Sequence, residues 1–108
     1  MNEMIVFDSG LKLVVSPNPA VRSVSVGVFA GAGSADETQA ESGISHLIEH
    51  MMFKGTANRS AFDIANDIDS LGAQINAYTS KSCTCYYTLS RDVHAAECMD
   101  VLSDMYFN

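Results

Sequence analysis

Short apolar runs and strict alternation mark the first 30 positions of the chain and predict β-strands. Apolar runs at residues 4–7 and 11–16 flank the turn sequence Asp8-Ser9-Gly10, and together they predict a β-hairpin. A third strand is predicted where three valines alternate with small residues, which indicates one buried face: Val24, Val26 and Val28.

The apolar spacing then becomes helical. After a polar loop at residues 34–41, four apolar residues fall on one side of a predicted helix: Ile44, Leu47, Ile48 and Met51. We expect this stripe to dock on a core while the polar side faces a cleft. Ser42 or Gly43 is expected to begin the helix, and Gly55 to follow its end. The loop's acidic residues are expected to be solvated: Asp36, Glu37 and Glu41.

Two further helices and two strands are predicted in the second half. Ser60 and Asp63 match a helix-capping pattern, and helical spacing relates the apolar residues that follow: Phe62, Ile64, Ala65, Ile68 and Leu71. Strands are predicted at residues 73–80 and 83–90. Asp92 can cap a last helix, whose predicted inward stripe is Ala95, Cys98, Met99, Leu102, Met105 and Tyr106. Its carboxylates are expected to be wet, and His94 to lie at the surface.

This order of elements predicts an α+β fold, with a mostly antiparallel sheet covered by helices on one face. A length of 108 residues allows one domain with a modest core. The last helix stops at Phe107-Asn108 without a glycine or a basic last turn. We therefore expect residues 1–108 to be a single, truncated domain.

Composition excludes several classes of protein. A net charge of −7 argues against a nucleic-acid surface, and no apolar run is long enough to span a membrane. The first residues lack the basic flank and apolar stretch of a secretory signal. Three cysteines favour a reduced, cytoplasmic setting. Cys83 and Cys85 are open to two interpretations, as soft metal ligands or as small buried apolar side chains.

The candidate chemistry lies in the pentapeptide from His46 to His50, whose sequence is H-L-I-E-H. Two histidines four residues apart fall on one helical face, about 40° apart, and can bind one metal ion together. Glu49 lies roughly 60° to the other side of His46, close enough to orient a water on that metal. This is the order H-x-x-E-H, which predicts a zinc hydrolase with Glu49 as the proton acceptor.

The chain resembles a known family at this motif and on both sides of it. The similarity runs from Gly31 through the motif to Phe53-Lys54-Gly55-Thr56, and resumes at Leu71-Gly72-Ala73-Gln74-Ile75-Asn76-Ala77-Tyr78-Thr79. The sequence resembles the N-terminal part of the inverzincin peptidases, the group of pitrilysin, insulin-degrading enzyme and mitochondrial processing peptidase. Within that group, it is most similar to the compact bacterial and organellar processing proteases.

The resemblance implies a zinc endopeptidase with a longer chain. His46 and His50 are then two zinc ligands and Glu49 the catalytic base, whereas the third ligand, a glutamate in this family, lies beyond Asn108. We therefore expect the 108 residues alone to be inactive and metal-free. The resemblance also implies that Asn76, Ala77 and Tyr78 lie on an edge strand, to which a substrate peptide adds as an extra strand.

Partners and alternatives follow from the same resemblance. The expected partners are a peptide or unfolded polypeptide substrate and a homologous half-domain, with a dimer at full length. The family also includes non-catalytic partner and scaffold subunits, so such a subunit remains an alternative. A metal-dependent hydrolase of non-peptide substrates and a structural domain with a coincidental motif also remain open.

Overall fold

Five strands and three α-helices follow one another along the chain in the computed structural model, which describes residues 3–31 and 33–107. The strands are β1 (Glu3–Val6), β2 (Lys12–Val15), β3 (Ser23–Ala30), β4 (Gln74–Thr79) and β5 (Thr84–Arg91). The helices are α1 (Ile44–Met52), α2 (Ala61–Ser70) and α3 (Ala95–Phe107). Short 3₁₀ turns occupy Ser34–Asp36, Gln39–Glu41 and Asp92–His94. The predicted α+β class is confirmed.

All strand pairs are antiparallel and form two separate sheets. The predicted hairpin is confirmed, because β1 pairs with β2, with Glu3 opposite Val15. The other sheet has the order β3-β5-β4, which places β5 in the centre. On one face of this sheet, Phe29, Tyr78 and Tyr87 border a groove together with Val14 of β2. The helices therefore cover only the opposite face.

The core lies between α2, α3 and the covered face of the sheet. Its buried cluster consists of Ile64, Ile68, Ala73, Cys98, Val101 and Met105. The buried members of the two predicted stripes are Ile64, Ile68, Cys98, Leu102 and Met105. The prediction is wrong for Phe62, Ala65, Met99 and Tyr106, which are exposed, because the stripe that periodicity marks is wider than the surface that packs against the core. Val101, which the predicted stripe omitted, is buried.

The three cysteines are free thiols. Cys85 and Cys98 are buried, which supports the interpretation of Cys85 as a small apolar side chain. Burial raises the pKa of the Cys85 thiol, so it stays protonated at neutral pH. Cys83 is half-buried, and its sulfur lies 3.5 Å from the Ser80 hydroxyl. Within residues 3–31 and 33–107, no helix is long and apolar enough to cross a membrane.

Asp104 contradicts the expectation that the carboxylates of α3 are wet. It is 6% exposed and accepts hydrogen bonds from Thr56, Asn58 and Arg59, at 2.8, 2.9 and 2.7 Å. Arg59 also contacts Asp67 of α2 at 2.8 Å. A single guanidinium therefore joins α2, α3 and the connection before α2. The three donors Thr56, Asn58 and Arg59 stabilise a buried charge that periodicity alone places in solvent.

Thr88 supplies a test of the core. Its side chain is 0% exposed, and its Oγ1 has no hydrogen-bond partner among the residues that the structure describes. An unsatisfied buried hydroxyl costs free energy, so Thr88→Val is expected to raise the free energy of unfolding by about 1 kcal/mol in denaturant titrations. The control is Thr84→Val on the same strand, because Thr84 has interaction partners to lose. Destabilisation by Thr88→Val would contradict this account.

Candidate functional site

Helix α1 carries the H-x-x-E-H motif at the surface. It begins after Gly43, whose φ of +88° lies in the left-handed region, and ends at Phe53. His46 and His50 are exposed and one turn apart, whereas Glu49 is half-buried. Both imidazoles are thus accessible to a metal ion. The predicted start at Gly43 is confirmed.

The predicted docking of the apolar stripe of α1 is wrong. Its four members are 41–57% exposed: Ile44, Leu47, Ile48 and Met51. The side that meets the sheet and the core instead contains the half-buried Ser45, Glu49 and Met52. A hydrogen bond of Glu49 and the packing of Met52 and Phe53 against the core determine this orientation.

Glu49 connects α1 to the end of β4. The hydroxyl of Thr79 donates a hydrogen bond to Oε2 of Glu49. Burial, and then the negative charge of Glu49, raise the pKa of Tyr86 on β5. The predicted base and the last residue of the predicted substrate strand are therefore in direct contact.

Glu37 caps the motif helix, although we expected it to be solvated. Its two carboxylate oxygens accept hydrogen bonds from the backbone amides of Gly43 and Ser45, both at 2.8 Å. Hydrogen bonds from the side chain and backbone of Ser45, and then from Gly43, lower the pKa of the Glu37 carboxyl. Spacing gave no signal for this contact. The missing side chain at Gly43 was the one clue that the cap had to come from elsewhere.

Strand β4 is an edge of the sheet among the residues that the structure describes. The Ser80 amide donates to the Cys83 carbonyl at 2.8 Å, so the alternating antiparallel pattern directs the Ala77 amide to the open edge. That amide donates instead to Oδ1 of its neighbour Asn76, at 2.8 Å. Asn76 and Tyr78 are exposed, and Ala77 is half-buried. The substrate role of these three residues stays a prediction.

The donor set for a metal is incomplete in the described part of the chain. No cluster of three or more His, Cys, Asp or Glu side chains there is arranged to hold a metal ion. His46 and His50 are nitrogen donors of the kind that zinc prefers, and they fit two of its three usual protein ligands. His94 is paired with Glu97 at 2.9 Å, at the start of α3.

Comparison with known proteins gives close relatives. The chain is 51% identical over 100 residues to the uncharacterized zinc protease YmxG of Bacillus subtilis, covering 93% of this chain and 24% of the relative. It is 38% identical over 108 residues to the mitochondrial-processing peptidase subunit beta of Lentinula edodes, covering 98% and 23%. A third relative, core protein I of the ubiquinol-cytochrome-c reductase complex of Euglena gracilis, is 44% identical over 84 residues, covering 78% and 17%.

A solved structure and a family model agree with these relatives. The crystal structure of a protease from Helicobacter pylori matches with a TM-score of 0.92 and 26% identity, over 97% of this chain and 26% of that chain. The chain thus spans between 17% and 26% of the length of these proteins. The family model of insulinase, peptidase family M16, matches residues 12–108. The chain belongs to the insulinase family of peptidases.

Proposed function

We propose that the full-length protein is a zinc-dependent endopeptidase in which His46 and His50 bind the metal and Glu49 is the catalytic base. Residues 1–108 then form the N-terminal part of its peptidase domain. The observation that carries the proposal is the arrangement on α1. Two exposed imidazoles lie one turn apart, and the carboxylate between them in sequence contacts the end of an edge strand. The name zinc protease, given to the Bacillus relative, supports the same chemistry.

Zinc, when bound, supplies a Lewis acid that polarises a peptide carbonyl and makes water more acidic. The two imidazoles of α1 supply neutral nitrogen donors. The described residues contain no cluster of three metal donors, so we propose that the third ligand lies outside these 108 residues. The family resemblance implies that this ligand is a glutamate. On this proposal, the 108 residues alone are inactive.

Glu49 is proposed to transfer the proton during hydrolysis. Its carboxylate accepts a proton from the attacking water and passes it to the leaving amine. The hydrogen bond from Thr79 restrains this carboxylate at the end of β4. The restraint keeps the base beside the strand where the substrate is proposed to bind.

The substrate is proposed to be a peptide or unfolded polypeptide that pairs with β4. Its backbone carbonyl replaces Oδ1 of Asn76 as the acceptor for the Ala77 amide, and Tyr78 borders the peptide on the open face. Pairing through the backbone is independent of side chains. Selectivity for sequence must therefore come from pockets elsewhere in the full-length protein.

The exposed apolar stripe of α1 indicates that a further partner packs against this helix. Its apolar residues need a covering surface, which we propose is a homologous half-domain in the same chain or in a second copy of a dimer. A reducing compartment such as the cytoplasm is proposed from the three free thiols.

Removing one histidine tests the metal site. In the full-length protein, His46→Gln or His50→Gln is expected to reduce bound zinc to below roughly a tenth of an equivalent per chain and to abolish peptide hydrolysis, because two of three ligands hold zinc weakly. Atomic absorption and cleavage of a fluorogenic peptide measure the two effects. The control is His94→Gln, which changes the third histidine, in the turn between β5 and α3, and should keep both properties. Full zinc content in both motif variants would disprove the assignment.

A non-catalytic subunit is the second candidate, favoured by the similarity to core protein I. One experiment distinguishes the peptidase from the non-catalytic subunit. A zinc-loaded, full-length protein that binds peptides but cleaves none of a broad peptide library would support the subunit.

A further inference from the structure

The first turn of α1 has no cap of its own. Gly43 occupies the capping position without a side chain, and the first turn contains no acidic residue. Backbone amides at the start of a helix lack partners within the helix. The Gly43 and Ser45 amides both donate to Glu37, six and eight residues away. A single carboxylate outside the helix therefore accepts the hydrogen bonds that a local capping side chain would otherwise accept.

Glu37 is itself fixed to the turn that follows β4. The amides of Ser34 and Ala35 donate to the carbonyls of Ser80 and Lys81, at 3.0 and 2.9 Å. Gly33 packs so closely here that a Cβ atom would lie 2.3 Å from the Ser80 carbonyl oxygen. The loop that carries Glu37 is thus joined by its backbone to residues 80–81.

Helix α1 is consequently held at two points by the same end of β4. At the first point, Glu37 accepts a hydrogen bond from the Ser45 amide, and the loop that carries Glu37 is bound to residues 80–81. At the second point, Thr79 donates a hydrogen bond to Glu49. Ser45 and Glu49 are four residues apart, about 6 Å along the helix axis, and lie on the same side. His46 lies between these two points. A nine-residue helix is too short to be stable by itself, so these contacts decide the order of its first turn.

We propose that Glu37 is a positioning residue for the metal-binding pair. By capping α1, it fixes the first turn and with it His46, so that the two imidazoles are preorganised for one zinc ion. The inference rests on the proposed function of His46 and His50 as zinc ligands. Glu37 touches neither the metal nor the substrate.

The matched control is Glu41, an exposed glutamate of the same loop. Its Oε1 accepts a hydrogen bond from the Thr38 amide at 3.1 Å, so it caps the neighbouring 3₁₀ turn. Glu41→Ala removes the same charge and a similar hydrogen bond without touching α1. The test compares Glu37→Ala, Glu37→Gln and Glu41→Ala in the full-length protein.

Four measurements separate positioning from general stability. Glu37→Ala is expected to raise hydrogen–deuterium exchange about tenfold in residues 43–47 and to weaken zinc binding about 10–100-fold in competition with a chelator. Its Tm should equal that of Glu41→Ala. Glu37→Gln should fall between Glu37→Ala and the unmodified protein, because its amide oxygen can accept one of the two hydrogen bonds. The visible spectrum of bound Co²⁺ should change in Glu37→Ala and remain unchanged in Glu41→Ala.

Two results would overturn the inference. The first is zinc affinity in Glu37→Ala equal to that of Glu41→Ala. The second is unchanged exchange in residues 43–47, which would show that Glu37 does not order the helix. If the unmodified protein bound no zinc, the proposed function would fail, and the exchange comparison would still decide whether Glu37 positions α1.

Discussion

Glu49→Gln is expected to lower kcat of the full-length protein about 10²–10⁴-fold while leaving its zinc content unchanged. Glutamine keeps an oxygen that accepts the hydrogen bond from Thr79, so the side chain stays at the end of β4. It cannot accept a proton from water, and proton transfer is the step that is lost. Peptide cleavage under saturating substrate and metal analysis of the same sample measure both effects.

The control for this variant is Glu97→Gln, which makes the same chemical change on α3. Glu97 pairs with His94 at the protein surface, away from the motif helix. We expect its kcat to stay within about twofold of the unmodified protein, as for surface substitutions generally. Near-normal turnover by the Glu49 variant would rule out its role as the base.

Arg59→Met is expected to lower Tm by roughly 5–10 °C for a domain of this size. The guanidinium lies 2.7–2.8 Å from oxygens of Asp67, Asp100 and Asp104, and these contacts raise the pKa of Arg59 further. Asp100 is mostly exposed and contributes little, whereas Asp104 would keep a buried charge without its cation. Thermal unfolding followed by circular dichroism measures the loss. The control is Arg91→Met, since Arg91 is exposed at the end of β5.

Arg59→Met should also differ from the unmodified protein in its unfolding by acid. Hydrogen bonds from Asn58, then Arg59 and Thr56, lower the pKa of Asp104 from 3.8 to about 2. A carboxyl with a lowered pKa stabilises the fold above its ordinary pKa, and this contribution disappears as the pH falls through its folded value. Without Arg59 the pKa of Asp104 rises, so acid unfolding should begin at a higher pH. Identical acid transitions in the two proteins would contradict this.

The fold could be predicted from the sequence where local signals agree with packing. The turn at Asp8-Ser9-Gly10 and the cap formed by Ser60 and Asp63 both occur as expected, because hydrogen bonds between residues close in sequence determine them. Burial of Ile64, Ile68 and Leu102 could be predicted because a period of 3.6 residues gives a helix only one side that can meet the sheet.

The site was predicted only in part, because its contacts join residues distant in sequence. The motif residues were found from their spacing, but the orientation of α1 was not. Periodicity predicted burial of the apolar stripe, whereas the hydrogen bond that Thr79 donates to Glu49 holds another side of α1 toward the sheet. Glu37 and Asp104 were missed because their partners lie 6 to 48 residues away along the chain.

The hydrogen bond from the Ala77 amide to Asn76 has a consequence for solubility. An edge strand with unpaired amides is a template on which other copies of a protein can stack into fibrils. In β4, the outward amide at the middle of the strand is already satisfied by a side chain. Stacking of a second copy would have to break that bond first, so the bond disfavours aggregation through this strand.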